Sequence, residues 1–221
     1  MSPGAVAATS AGVFVLGLAV GAGLAVAVDR VPERPPEFRR AHPRRHFALV
    51  MALTGVGFLL AFLRFGLAAR LPLACFFIAV MIVVAVIDWE LMIIPNKIVL
   101  PAAVVGLAAS IALNPGRWWI YLVAAVGASL FLFILALIWP GGMGGGDIKL
   151  ALFMGGVLGT MVIAAMFLAF LFGAVVGLIL IASKLKSRKD HIPFGPYLAL
   201  GSILAVLYGA WLVDAYLSLL S

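Results

Sequence analysis

A chain of 221 residues of which 66% are hydrophobic and 10% charged is too apolar for a soluble domain of this length, and its apolar runs recur from end to end. The formal charge of +7 stands in short basic clusters between those runs, where positive charge reports orientation and contact with anionic lipid, so membrane lipids and not nucleic acid are the expected surroundings. The single cysteine, Cys75, lies inside an apolar run and excludes a disulfide framework or a CxxC metal site.

Residues 5–28 form the first predicted span, and the small residues around Gly17, Gly21 and Gly23 would let a neighbouring helix pack closely. The run is long enough to span and the more basic side follows it, so a retained helix is expected and not a cleaved signal peptide. Residues 29–46 carry six arginines against three acids, and Pro32, Pro35, Pro36 and Pro43 argue against a long helix there. The positive-inside rule makes this loop cytoplasmic. Residues 47–63 and 72–87 are the second and third predicted spans, joined by an external turn, and the third delivers Asp88 to the cytoplasmic face.

After Asp88 the chain is expected to break. Pro95 biases Ile94 away from helix, Asn96 can cap the helix that follows, and Trp89 suits the headgroup belt. Residues 98–113 and 119–138 are the fourth and fifth spans, and they lead to the run Gly141-Gly142-Met143-Gly144-Gly145-Gly146-Asp147-Ile148-Lys149. Two complete crossings therefore separate Asp88 from Asp147, which puts both carboxylates at one membrane face. Residues 148–159 make a short sixth span that must be buried among its neighbours or extended through the preceding loop. Residues 160–183 and 197–216 complete an all-α, polytopic architecture of about eight transmembrane helices, one membrane domain over 1–221 with both termini outside. Loops assigned to the cytoplasm then hold twelve of the 15 basic residues, a bias that agrees with this orientation.

A carboxylate is among the most expensive groups to hold between apolar segments, so Asp88 and Asp147 call for a functional account. Two carboxyls at one face can share a proton: the ionised member polarises a water for attack on a peptide carbonyl while its protonated partner donates to the carbonyl oxygen. Such a pair titrates as a unit, and neither a metal nor an organic cofactor is required. The alternative is a small proton-coupled transporter using the same aspartates. The other polar residues point elsewhere. Glu90 is turned about 200° from Asp88 on a helix and is expected to face headgroups. His42, His46, Asp190 and His191 read as solvated loop residues, and Asp214 as interfacial. Lys149 is open to two roles, acting on the charge of Asp147 or binding a lipid phosphate.

Three motifs in order, Ile87-Asp88 through Pro95-Asn96, Gly142 through Leu150, and Ile192-Pro193-Phe194-Gly195-Pro196, together resemble the type IV prepilin peptidases, the GxGD-type membrane aspartic proteases. Gly17 through Arg30-Val31-Pro32 also resembles that family's first helix end. The resemblance implies removal of the short basic leader from prepilins or pseudopilins, typically after a glycine, by an enzyme of the bacterial cytoplasmic membrane with its site facing the cytoplasm. It puts Asp88 and Asp147 on the catalytic pair and Gly144 and Gly146 on the signature glycines. Gly145, Lys149, Pro95, Pro193, Phe194, Gly195 and Pro196 would then shape the site. Many such proteins also carry paired CxxC sequences associated with zinc and methylate the new N-terminus with S-adenosylmethionine. Residues 29–46 contain no cysteine, so no zinc element is expected, and S-adenosylmethionine is implied only if methyl transfer accompanies cleavage.

Overall fold

The computed structural model describes residues 3–30, 43–139, 143–185 and 192–218, and among them there are eight α-helices and no strand. They are α1 (Pro3–Arg30), α2 (Pro43–Phe65), α3 (Leu71–Leu91), α4 (Asn96–Leu113), α5 (Trp118–Ile138), α6 (Gly145–Leu158), α7 (Val162–Ala182) and α8 (Gly195–Ser218). Each predicted span falls on one of them. Six stretches are long and apolar enough to cross a membrane, α6 and α7 counting as the single stretch Gly145–Ala182, with the described part of α8, Gly195–Gly209, as a shorter apolar helix. The protein is a multi-pass membrane protein.

The central element is α3, which is apolar all round and packed on both faces, as a helix enclosed by others must be. Phe77, Val80, Met81 and Val84 join a core with α4 through α8, while Ile78, Ile82, Val86 and Ile87 join a second core with α1, α2 and α8. Asp88 follows directly from this doubly packed rod, so its position is set by the fold and not by a loop.

The small-residue stripe of α1 does what its composition suggests. A Cβ on Gly17 would come 2.8 Å from Cα of Gly55, and one on Gly21 would come 2.7 Å from Cα of Met51, so α1 and α2 touch backbone to backbone. Gly21→Leu should therefore cost on the order of 1–3 kcal/mol by overpacking, read as a lower unfolding midpoint in detergent, whereas Gly23→Leu, whose added Cβ meets nothing within 4 Å, should not.

The short sixth span is resolved by burial. At 14 residues α6 is about 21 Å long at 1.5 Å per residue, and Leu150, Ala151, Phe153, Met154, Gly155 and Leu158 bury it along its whole length. A 3₁₀ turn, Gly159–Met161, then reverses the chain into α7, with Gly159 at φ 58°.

Four expectations change. Residues 29–46 are not loop throughout: α1 continues to Arg30 and α2 begins at Pro43, where a first-turn proline loses no helical hydrogen bond. Asn96 does not cap α4, because Pro95 occupies the extended cap position and Asn96 is the first helical residue. His46 is not a solvated loop residue but lies on α2, where its Nε2 pairs with Oε1 of Glu90, and that pairing, not the headgroup layer, is where Glu90 points. His42, Asp190, His191 and the side chain of Asp214 lie outside the described residues.

Candidate active site

One helix end, that of α3, and the starts of α4, α6 and α8 converge at one end of the bundle. α3 terminates at Leu91 because Met92 takes a left-handed conformation, φ 51° and ψ 37°, with its N–H donating to the carbonyl of Asp88 at 2.9 Å. The chain then bends through Ile93, Ile94 and Pro95 into α4. This bend lies directly against the start of α6: a Cβ on Gly146 would come 2.7 Å from Cβ of Ile94. Glycine is required there by contact and not by φ.

Asp147 is the third residue of α6 and caps its own helix. Gly144 N–H donates to its Oδ2 at 3.1 Å, while Asp147 N–H donates to the Gly144 carbonyl at 3.1 Å. Asp88, on the last turn of α3, would otherwise face carbonyl ends. It is met instead by the start of α8, where Gly195 N–H donates to its Oδ2 at 2.9 Å. Each carboxylate is thus held at a helix N-terminus by a backbone N–H, an arrangement in which the hydrogen bond and the helix dipole both favour negative charge. The two acids are 5% and 6% exposed, so neither is an ordinary surface carboxylate. Oδ1 of Asp147 is buried and has no hydrogen-bond partner among the described atoms.

Both acids line one cavity of about 590 Å³, together with Gly144, Gly145, Gly146, Lys149, Pro193 and Phe194. Of the residues expected to shape the site, Pro95, Gly195 and Pro196 do not line it. Pro95 starts α4, its carbonyl accepting from Ile98 and Val99, and Gly195 and Pro196 open α8. Phe194 is packed rather than free, its ring centroid 5.2 Å from that of Phe170 and 6.4 Å from that of Tyr197. Met92, Ile93, Ile94, Asn96, Met143 and Ile192 also line the cavity. A larger cavity of about 630 Å³ between α5 and α7 is lined by apolar side chains and Thr160 and holds no acid.

Lys149 donates through Nζ to Oδ1 of Asn96 at 2.9 Å and so ties α6 to the start of α4 at the cavity rim. No sequence signal joins residues 53 apart in this way. The tie is exposed, so Asn96→Ala and Lys149→Met should each lower stability by about 0.5–1 kcal/mol, and the double variant by no more than the larger single effect. Thermal unfolding of the four proteins in one detergent checks this.

The profile of the Type IV leader peptidase family matches residues 75–178. A prepilin leader peptidase/N-methyltransferase of Bacillus subtilis (strain 168) is 40% identical over 172 residues, which take in 76% of this chain and 68% of that protein. Proteins of the same name from Xanthomonas campestris pv. campestris and Legionella pneumophila are each 30% identical, over 77% of this chain and 62% of their own lengths. The chain thus spans about two thirds of the length of these relatives. No solved structure matches it.

Proposed function

The chain belongs to the Type IV leader peptidase family, and on that premise we propose that it is an aspartic endopeptidase that removes the basic leader from a prepilin or pseudopilin at the cytoplasmic face of a bacterial inner membrane. The observation that carries the reading is that Asp88 and Asp147, 59 positions apart in sequence, line one cavity with one oxygen of each held by a backbone N–H. In this reading eight helices cross the membrane with both termini outside, and the basic clusters stay with the cavity in the cytoplasm.

The chemistry needs one proton shared between two carboxyls. The ionised carboxyl takes a proton from water as that water attacks the scissile carbonyl, and the protonated one donates to the carbonyl oxygen. Collapse of the tetrahedral intermediate breaks the C–N bond and returns a proton to the leaving amine. Gly144 and Gly195 N–H orient the carboxyls by gripping Oδ2 of each, which leaves Oδ1 of Asp147 without a partner among the described atoms. Burial keeps the pair in a low dielectric, where proton transfer and charge stabilisation act strongly.

The described residues that line the cavity do not fit S-adenosylmethionine as a second occupant. With both aspartates committed to the peptide, the remaining polar side chains among the described residues that line the cavity are Asn96 and Lys149, already bonded to one another. That pair can meet a carboxylate but offers nothing for an adenine and a ribose diol, so no step is routed through this cofactor.

Liposomes carrying the purified protein and a prepilin test the proposal. A single cut that leaves the leader and the mature chain, identified by mass spectrometry of the new N-terminus, is the expected result. Proton flux without proteolysis would overturn it in favour of a transporter. The mass of the same product reads methylation independently.

A further inference from the structure

At the end of the bundle opposite the aspartates, residues of α2, α3, α4, α5, α6 and α8 line a second cavity of about 210 Å³, open to the surface at its two exposed arginines. Its cations are Arg64, at the end of α2, and Arg70, just before α3. Both are anchored. Arg64 Nε donates to the Leu207 carbonyl at 2.8 Å, and Arg70 donates through a terminal nitrogen to Oδ1 of Asn114 at 3.1 Å. A guanidinium has five N–H donors, so each anchor orients the fork and leaves donors for a ligand. No Asp or Glu is among the described residues that line the cavity, so two positive charges face one space without an acid between them.

The second observation is Ser110. It is 1% exposed, lines the same cavity, and its Oγ has no hydrogen-bond partner among the described atoms. A buried hydroxyl left unpaired is destabilising. Thr54 meets the same problem on α2 by donating back to Val50 O at 2.7 Å, a bond Ser110 does not make on α4. Tyr121 adds a second hydroxyl-bearing side chain.

We infer that this cavity binds a phosphate anion, carried by the headgroup of an anionic membrane phospholipid. Two oriented guanidiniums match phosphate oxygens in charge and geometry. The Ser110 hydroxyl, unpaired among the described atoms, is a further donor at this cavity. At about 30 Å³ per water the space holds a few water-sized groups, the size of a headgroup phosphate and not of a folded peptide. The apolar helices around it supply the surface along which acyl chains lie. The site is independent of the aspartate cavity.

The test uses the full chain in neutral detergent, with phosphatidylglycerol, phosphatidylcholine or inorganic phosphate added separately. Native mass spectrometry reads bound lipid and thermal unfolding reads stabilisation. Phosphatidylglycerol should be retained and raise the midpoint, with phosphatidylcholine weaker. Arg70→Glu should weaken phosphatidylglycerol binding at least about tenfold. Ser110→Ala should leave the lipid-free midpoint unchanged or higher, since it removes an unpaired hydroxyl, and yet reduce the gain from lipid. Arg117→Gln, at the same end but outside the cavity, should behave as wild type. Equal phosphatidylglycerol binding by wild type and Arg70→Glu overturns the site. Stabilisation by inorganic phosphate that phosphatidylglycerol does not exceed overturns the lipid as its source and leaves a free-phosphate site.

Discussion

Asp88→Asn and Asp147→Asn should each abolish prepilin cleavage, with rates reduced by about 10²–10⁴ or more, while the protein remains in the membrane at wild-type amounts. An amide is close to isosteric with a carboxyl and can keep accepting from Gly195 or Gly144 through its oxygen, so the helix starts that grip these side chains survive. What is lost is the shared proton. An Asn neither takes a proton from water nor donates one as an acid does, and with one member replaced the other has no partner in the transfer. The double variant should therefore be no slower than either single one, the non-additivity of groups that act as one unit. Co-expression of each variant with a prepilin, an immunoblot for the shortened product and membrane fractionation check all three statements. Wild-type cleavage by either single variant would remove that residue from the chemistry.

The aspartates were legible in the sequence for an energetic reason. A carboxylate between apolar runs is costly enough to stand out, and the two intervening apolar runs, now α4 and α5, put both acids at one end of the bundle. All the helices but the short α6 were legible because uniform apolarity over 16 to 24 residues leaves few other readings. What could not be read were relations across the sequence. Gly195 donates to a carboxylate 107 residues earlier, and Lys149 to an amide 53 residues earlier, contacts that only the packing of α3 against α8 and of α4 against α6 creates. Asn96 was misread because a good capping residue is recognised by type, whereas the cap is set by where the backbone leaves the helix, and the fixed φ of Pro95 moved that point one residue earlier. His46 was misread because basic, proline-rich surroundings suggested loop, while Pro43 serves as a helix start and carries His46 to Glu90.

Gly195→Ala should reduce cleavage about 10²-fold without unfolding the protein. Gly195 has no unusual φ, so alanine suits its backbone as the first residue of α8. The obstacle is Asp88. An added Cβ would lie 2.7 Å from Oδ2, 3.0 Å from Cγ and 3.1 Å from Cβ of that residue. A contact with the carboxylate tip alone could be relieved by a turn of the side chain, but Cβ of Asp88 is fixed by α3, which is packed on both faces. The start of α8 must therefore move away from α3, lengthening the 2.9 Å bond from Gly195 N–H that orients the carboxyl. The reacting groups shift by a fraction of an ångström to an ångström, which weakens their alignment more than it weakens peptide binding, so the loss should fall on kcat and not on KM. Gly127→Ala, on α5 and with nothing within 4 Å of the added Cβ, is the matched substitution expected to cleave at the wild-type rate. Wild-type kcat in Gly195→Ala would mean that the grip of α8 on Asp88 has no part in catalysis.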